Sequence, residues 1–140
     1  MAIASGSILV ERPSAEVFSY LADPRTHHEW QPDLLRTELV TDGEIGVGTR
    51  GVEVRRLLGR EIRAPFQITR REPPTRQEFH TTGGPVRPDG TMRCESIGEA
   101  TKVTYEFQLH GPMGRLLARV IGKGLCPNLA RLKERLEAGT

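Results

Sequence analysis

The sequence predicts an α+β domain: a curved antiparallel sheet of seven strands around one long C-terminal helix, with two short helices after the first strand. Three observations carry this. From Pro112 to Ala138 apolar residues recur at helical spacing, at Leu116, Leu117, Val120, Ile121, Leu125, Leu129, Leu132 and Leu136. The middle of the chain alternates instead at period two, most cleanly where Val103, Tyr105, Phe107 and Leu109 oppose Lys102, Thr104, Glu106 and Gln108. The separators between these runs are too short for crossover helices, so neighbouring strands must pair antiparallel.

Each element has a local cause. Residues 3–10 read as the first strand, ending in Ile8-Leu9-Val10. Pro13 opens a short helix as its first residue, where the missing N–H costs nothing. Val17, Phe18, Tyr20 and Leu21 form its apolar side, and Asp23-Pro24 ends it. A second short helix is expected from Pro24 to Glu29, followed by Trp30. Strands are expected at about 34–41, 49–58, 60–70, 75–82, 90–97 and 101–110, between turn signals such as Asp42-Gly43, Gly59, Pro73-Pro74, Gly83-Gly84-Pro85 and Gly98-Glu99. The final helix, at about 1.5 Å per residue, outreaches any one of these strands and must cross the sheet obliquely or be wrapped by it. Pro127 is expected to kink it near Lys123–Pro127. Gly114, Gly122 and Gly124 weaken it further, either by tolerance or because small residues leave space beside the sheet.

Composition excludes several classes. The 140 residues suit one domain spanning 1–140. A net charge of +2 with interspersed signs, and only 5% aromatic residues, argue against a nucleic-acid surface. No run approaches the length of an integral membrane segment. The first ten residues carry no positive charge ahead of their apolar residues, so no signal peptide and a cytoplasmic location are expected. Cys94 and Cys126 lack metal-ligand spacing and are expected to be free, with Cys126 a buried, inert thiol. His27 and His28, adjacent on a short helix, cannot both face one ion, so no metal site is expected. Nothing calls for a cofactor.

The run Glu11-Arg12-Pro13-Ser14-Ala15-Glu16-Val17-Phe18-Ser19-Tyr20-Leu21-Ala22-Asp23-Pro24, then Trp30, resembles the opening of the START-related superfamily. That superfamily includes polyketide cyclases/dehydrases, Bet v 1-type proteins and bacterial lipid-transport domains. Gly48-Thr49, Glu72-Pro73-Pro74, Gly90-Thr91 and Thr101-Lys102-Val103-Thr104-Tyr105 extend the resemblance from about Ile3 to Gly139. It implies a helix-grip fold with a pocket between sheet and terminal helix. One scaffold in this superfamily hosts binders, enzymes and interaction modules, so the fold alone does not name the activity.

The expected pocket lining is Trp30 near the mouth, with Phe66, Phe79, Met92, Tyr105, Phe107, Leu117, Ile121 and Leu125. Tyr105 shares a face with Phe107, so its hydroxyl is expected inside. Arg56 shares a face with Val52 and Val54 and is the expected inward charge; Glu53, three residues away, would lie on the other face. Tyr105 and Arg56 are therefore the candidate catalytic groups. His80 is expected in solvent and His110 at a pocket rim. The Gly43–Gly51 stretch joins two strands and reads as a hairpin loop or lid rather than a phosphate loop. These residues point first to a binder of a small hydrophobic or aromatic molecule, as a monomer or homodimer. The alternatives are a polyketide cyclase/aromatase or dehydratase, and a lipid- or protein-interaction module.

Overall fold

A computed structural model describes residues 1–84 and 86–139; Pro85, expected in a turn, lies outside the described residues. Strand β1 (Ala2–Val10) leads into helix α1 (Ser14–Leu21) and a short 3₁₀ helix, Pro24–Glu29. Six strands follow: β2 (Leu34–Leu39), β3 (Arg50–Leu57), β4 (Arg60–Glu72), β5 (Arg76–Thr81), β6 (Asp89–Ile97) and β7 (Ala100–Leu109). Helix α2 (Gly114–Ala138) closes the chain. All neighbours pair antiparallel in one seven-stranded sheet of order β1-β7-β6-β5-β4-β3-β2.

The expected elements are all present, with their ends shifted by a few residues. Pro13 sits one position earlier than expected, as the extended N-cap of α1, and Ser14 begins the helix. Ser14 is buried and bonds the hydroxyls of Ser96 (2.6 Å) and Thr101 (3.1 Å), tying the helix start to the β6–β7 hairpin. Asp23 caps the 3₁₀ helix by accepting from the Arg25 amide. β3 and β4 turn through Leu58 and Gly59, both at positive φ, which matches the right-handed twist of a two-residue hairpin. Pairing slips between Leu34 and Arg36 and again between Ile68 and Arg70, and such bulges bend the strands that carry them.

Packing determines where space is left. α1 buries Val17, Phe18 and Leu21 against β6 and β7. α2 buries Leu125, Leu129, Leu132 and Leu136 and leans on β1 and β7. Those two strands lie at one end of the strand order, while β3 and β4 at the other end curve round without packing on the helix. The C-terminal half of α2 therefore completes the core. Its N-terminal half faces a gap, and there Leu116 and Val120 remain exposed. α2 is helical through Pro127.

Both cysteines are free. Cys94 is buried, and desolvation pushes its thiol up to about 12. Cys126 is exposed, contrary to its expected burial, because it falls on the outer side of α2, next to Leu125 on the inner side. Among the described residues, no helix is long and apolar enough to cross a membrane.

Candidate functional site

A cavity of about 420 Å³ fills the gap between β3–β7 and α2. Its floor is aromatic. Tyr105 and Phe107 stack at 4.5 Å, Phe79 meets Phe107 edge-on at 6.2 Å, and Trp30 lies 6.0 Å from Tyr105. Two glycines let such rings lie flat. Gly90 pairs with Phe79 across β5–β6, and a Cβ built there would fall 2.1 Å from the ring. Gly51 pairs with Phe66 across β3–β4, with the same ring-over-backbone contact at 2.9 Å. Ile62 and Ala64 of β4 form one wall; Leu117, Ile121 and Leu125 of α2 form the other. Gly124 also lines the cavity, and no atom lies within 3.9 Å of where its Cβ would be, so here a poor helix former does leave space.

One end is polar and centred on Arg55. Its guanidinium donates to Asp33 Oδ2 (3.0 Å), Gln31 Oε1 (2.7 Å) and Glu53 Oε1 (3.0 and 3.1 Å). The second Glu53 oxygen lies 3.5 Å from His27 Nδ1, while His27 Nε2 donates to the Leu21 carbonyl at 2.8 Å. Burial alone would raise the Glu53 carboxyl, but the charge of Arg55 and the neighbouring His27 outweigh it and bring the pKa down to about 2. Burial likewise opposes charge on Arg55, and Glu53 and Asp33 more than compensate, so it is held firmly protonated. The Tyr105 hydroxyl borders the cavity and forms no hydrogen bond to the described residues. Burial first, then the nearby Glu53, raise its pKa. It is thus a neutral donor or acceptor facing the cavity, not a base. Beside Trp30 and Gln31, the α2 residues Asn128 and Arg131 complete the polar lining.

Of the residues expected to line a pocket, Trp30, Phe79, Tyr105, Phe107, Leu117, Ile121 and Leu125 border this cavity. Phe66 and Met92 do not. They border a separate void near His27 and Gln77 with room for no more than about one water molecule. Arg56 reaches the rim but is exposed, and the inward position expected for it belongs to Arg55. The face shared by Val52, Val54 and Arg56 is the convex one; Val54 is buried there between Arg36 and Arg63 of the flanking strands. His80 and His110 are exposed and share Asp89, at 2.5 and 3.3 Å, away from the cavity. Among the described residues, no three His, Cys, Asp or Glu side chains are arranged to hold a metal ion.

Comparison with known proteins places the chain. Residues 1–137 match the family described as polyketide cyclase/dehydrase and lipid transport. The chain belongs to that family. No curated protein matches its sequence. Among solved structures, a START superfamily protein from Mycobacterium smegmatis is similar at a TM-score of 0.83 and 13% identity, covering 99% of each chain. A Thermus thermophilus protein, TTHA0849, aligns at 0.81 and 20% identity, again over 99% of both chains. The Zhui aromatase/cyclase from Streptomyces sp. R1128 aligns at 0.79 and 15% identity, over 97% of this chain and 93% of that one. At these identities the family member shares their fold, a seven-stranded antiparallel sheet gripping a terminal helix.

Proposed function

We propose that this family member binds a small apolar or aromatic molecule in the cavity between its sheet and α2. The observation that carries this is the cavity itself: about 420 Å³, floored by stacked rings and walled by aliphatic side chains. That volume falls within the range of small-molecule sites, and such sites are mostly apolar with a few polar groups. The family's description, which joins cyclases and lipid transport, supports a hydrophobic cargo. The test is thermal melting with a panel of fatty acids, fused-ring aromatics and steroids. A ligand at 100 times its Kd adds about 2.7 kcal/mol to stability. At least one class is expected to raise Tm by several degrees; no shift from any of them overturns the proposal.

A catalytic role is the second proposal, and the polar end favours it specifically. A free, neutral Tyr105 hydroxyl faces the space in which a substrate carbonyl would lie, with Arg55 held charged nearby. A chain of ketones folded against the aromatic floor would close a ring intramolecularly, with much of the entropy cost already met by binding. Aromatic product formed from a poly-ketone analogue, and lost in Tyr105→Phe with binding retained, is the expected result. Equal turnover in the two proteins removes Tyr105 from the chemistry. Lipid or protein interaction remains a third proposal, supported by the exposed Leu116 and Val120 beside the cavity. It predicts binding to phospholipid vesicles or co-purification of a partner.

A further inference from the structure

Five charged side chains border the cavity: Asp33, Glu53, Arg55, Arg56 and Arg131. Both carboxylates are already held by Arg55. Arg56 is exposed and solvated. Arg131 is different. It is half-buried on α2, and among the described residues it forms no ion pair. Its only hydrogen bonds are long ones to its own helix, from Nη1 to the Pro127 carbonyl at 3.3 Å and from Nη2 to Asn128 Oδ1 at 3.4 Å. Its Nε is shut off from solvent and has no hydrogen-bond partner among the described residues.

A guanidinium cannot shed its proton to escape this position. A donor shut off from water without a partner is costly, and a planar fork of donors suits a carboxylate or similar oxyanion best. Asn128 adds to the same spot. Its Oδ1 is turned to Arg131, and its Nδ2 lies on the side of Gly124, 3.9 Å from where a Cβ there would stand. Arg131 and Asn128 thus place donors along the cavity wall beside a residue with no side chain, and both carboxylates of the lining are committed elsewhere.

We propose that the ligand is an apolar or aromatic acid whose anionic group pairs with Arg131, assisted by the Asn128 amide, while its ring or chain lies over the aromatic floor. This rests on the proposal that the cavity binds a small molecule, and it adds the charge of that molecule.

A matched pair of fluorescent probes tests it. N-phenyl-1-naphthylamine and 1-anilinonaphthalene-8-sulfonate share one ring skeleton and differ by a sulfonate. The wild-type protein is expected to bind the sulfonate at least tenfold more tightly, with dodecanoic acid displacing it and dodecanol failing to. In Arg131→Gln the ratio of the two affinities is expected to fall about tenfold, the size of one charge-assisted contact. Arg131→Lys, which keeps the charge and loses the fork, is expected to restore part of the ratio. Circular dichroism melts establish that each variant is folded. Binding of the neutral probe with no preference for the sulfonate, or an affinity ratio unchanged in Arg131→Gln, overturns the anionic ligand and leaves the cavity proposal standing. Failure of both probes to bind overturns the anionic ligand, and the cavity proposal falls with it when no member of the melting panel raises Tm.

Discussion

Glu53 gives the polar end a pH signature. Its carboxyl titrates at about 2 in the folded protein against an ordinary 4.5, so it favours the folded state wherever it is ionised. That contribution is present in full above roughly pH 5 and is lost as pH falls from there towards 2. Glu53→Gln is expected to be less stable than wild type at neutral pH, by on the order of 3 kcal/mol, with the gap closing in acid. Urea denaturation at several pH values measures it; parallel pH profiles for the two proteins contradict the pairing. Tyr105→Phe should behave differently. The hydroxyl bonds none of the described residues, so its removal is expected to change stability by less than about 1 kcal/mol in the same assay. The inward Tyr105 was legible from alternation alone, because β7 is buried on one face throughout. Arg56 shows where that logic fails. Alternation puts it in phase with Val52 and Val54, which read as markers of the inside. Yet Val54 is fully buried on the convex face, where Arg36 pairs with Glu38 and Glu61, and Arg63 with Glu38, around it. Long charged side chains can cover a valine as well as a core can. The sequence carried no signal for this, since it depends on which strands flank β3.

At the level of elements, the strand order and the long helix could be read from period and punctuation, while the meaning of the helix glycines could not. Three glycines in α2 meet three different surroundings. A Cβ at Gly122 would find only the Ala4 methyl, 4.0 Å away. Gly122→Ala is therefore expected to stabilise the protein by about 0.5–1 kcal/mol, seen as a rise in Tm. At Gly114 the added carbon would stand 3.0 Å from the Leu109 carbonyl, and Gly114→Ala is expected to lower Tm instead. A rise in Tm for both variants would mean that helix propensity, not packing against β7, governs the start of α2. Gly124 is the third case, bordering the cavity. No local pattern separates these three positions, because what distinguishes them is the sheet on the other side. Arg131 and Asn128 were invisible for the same reason: on a helical wheel they flank the apolar stripe and look like solvated residues.

For the molecule as a whole, α2 leans on one end of a curved sheet, and the other end stands off. The sequence announced a container through its one-sided strands and its overlong helix. It did not announce a size, because volume is what remains after every side chain has been placed. Gly124→Trp should occupy that remainder. The variant is expected to fold, with Tm within a few degrees of wild type, and to lose binding of both naphthalene probes. Retained binding would locate the probes elsewhere on the surface.

The rings of Phe66 and Phe79 rest on bare backbone at Gly51 and Gly90. One methyl added at either glycine would act as a wedge, tipping the phenyl group out of its flat bed and into neighbouring volume. Phe79 borders the chamber and Phe66 does not, so the capacity can be retuned from underneath by a single-carbon edit at Gly90, a position that a guest would never touch.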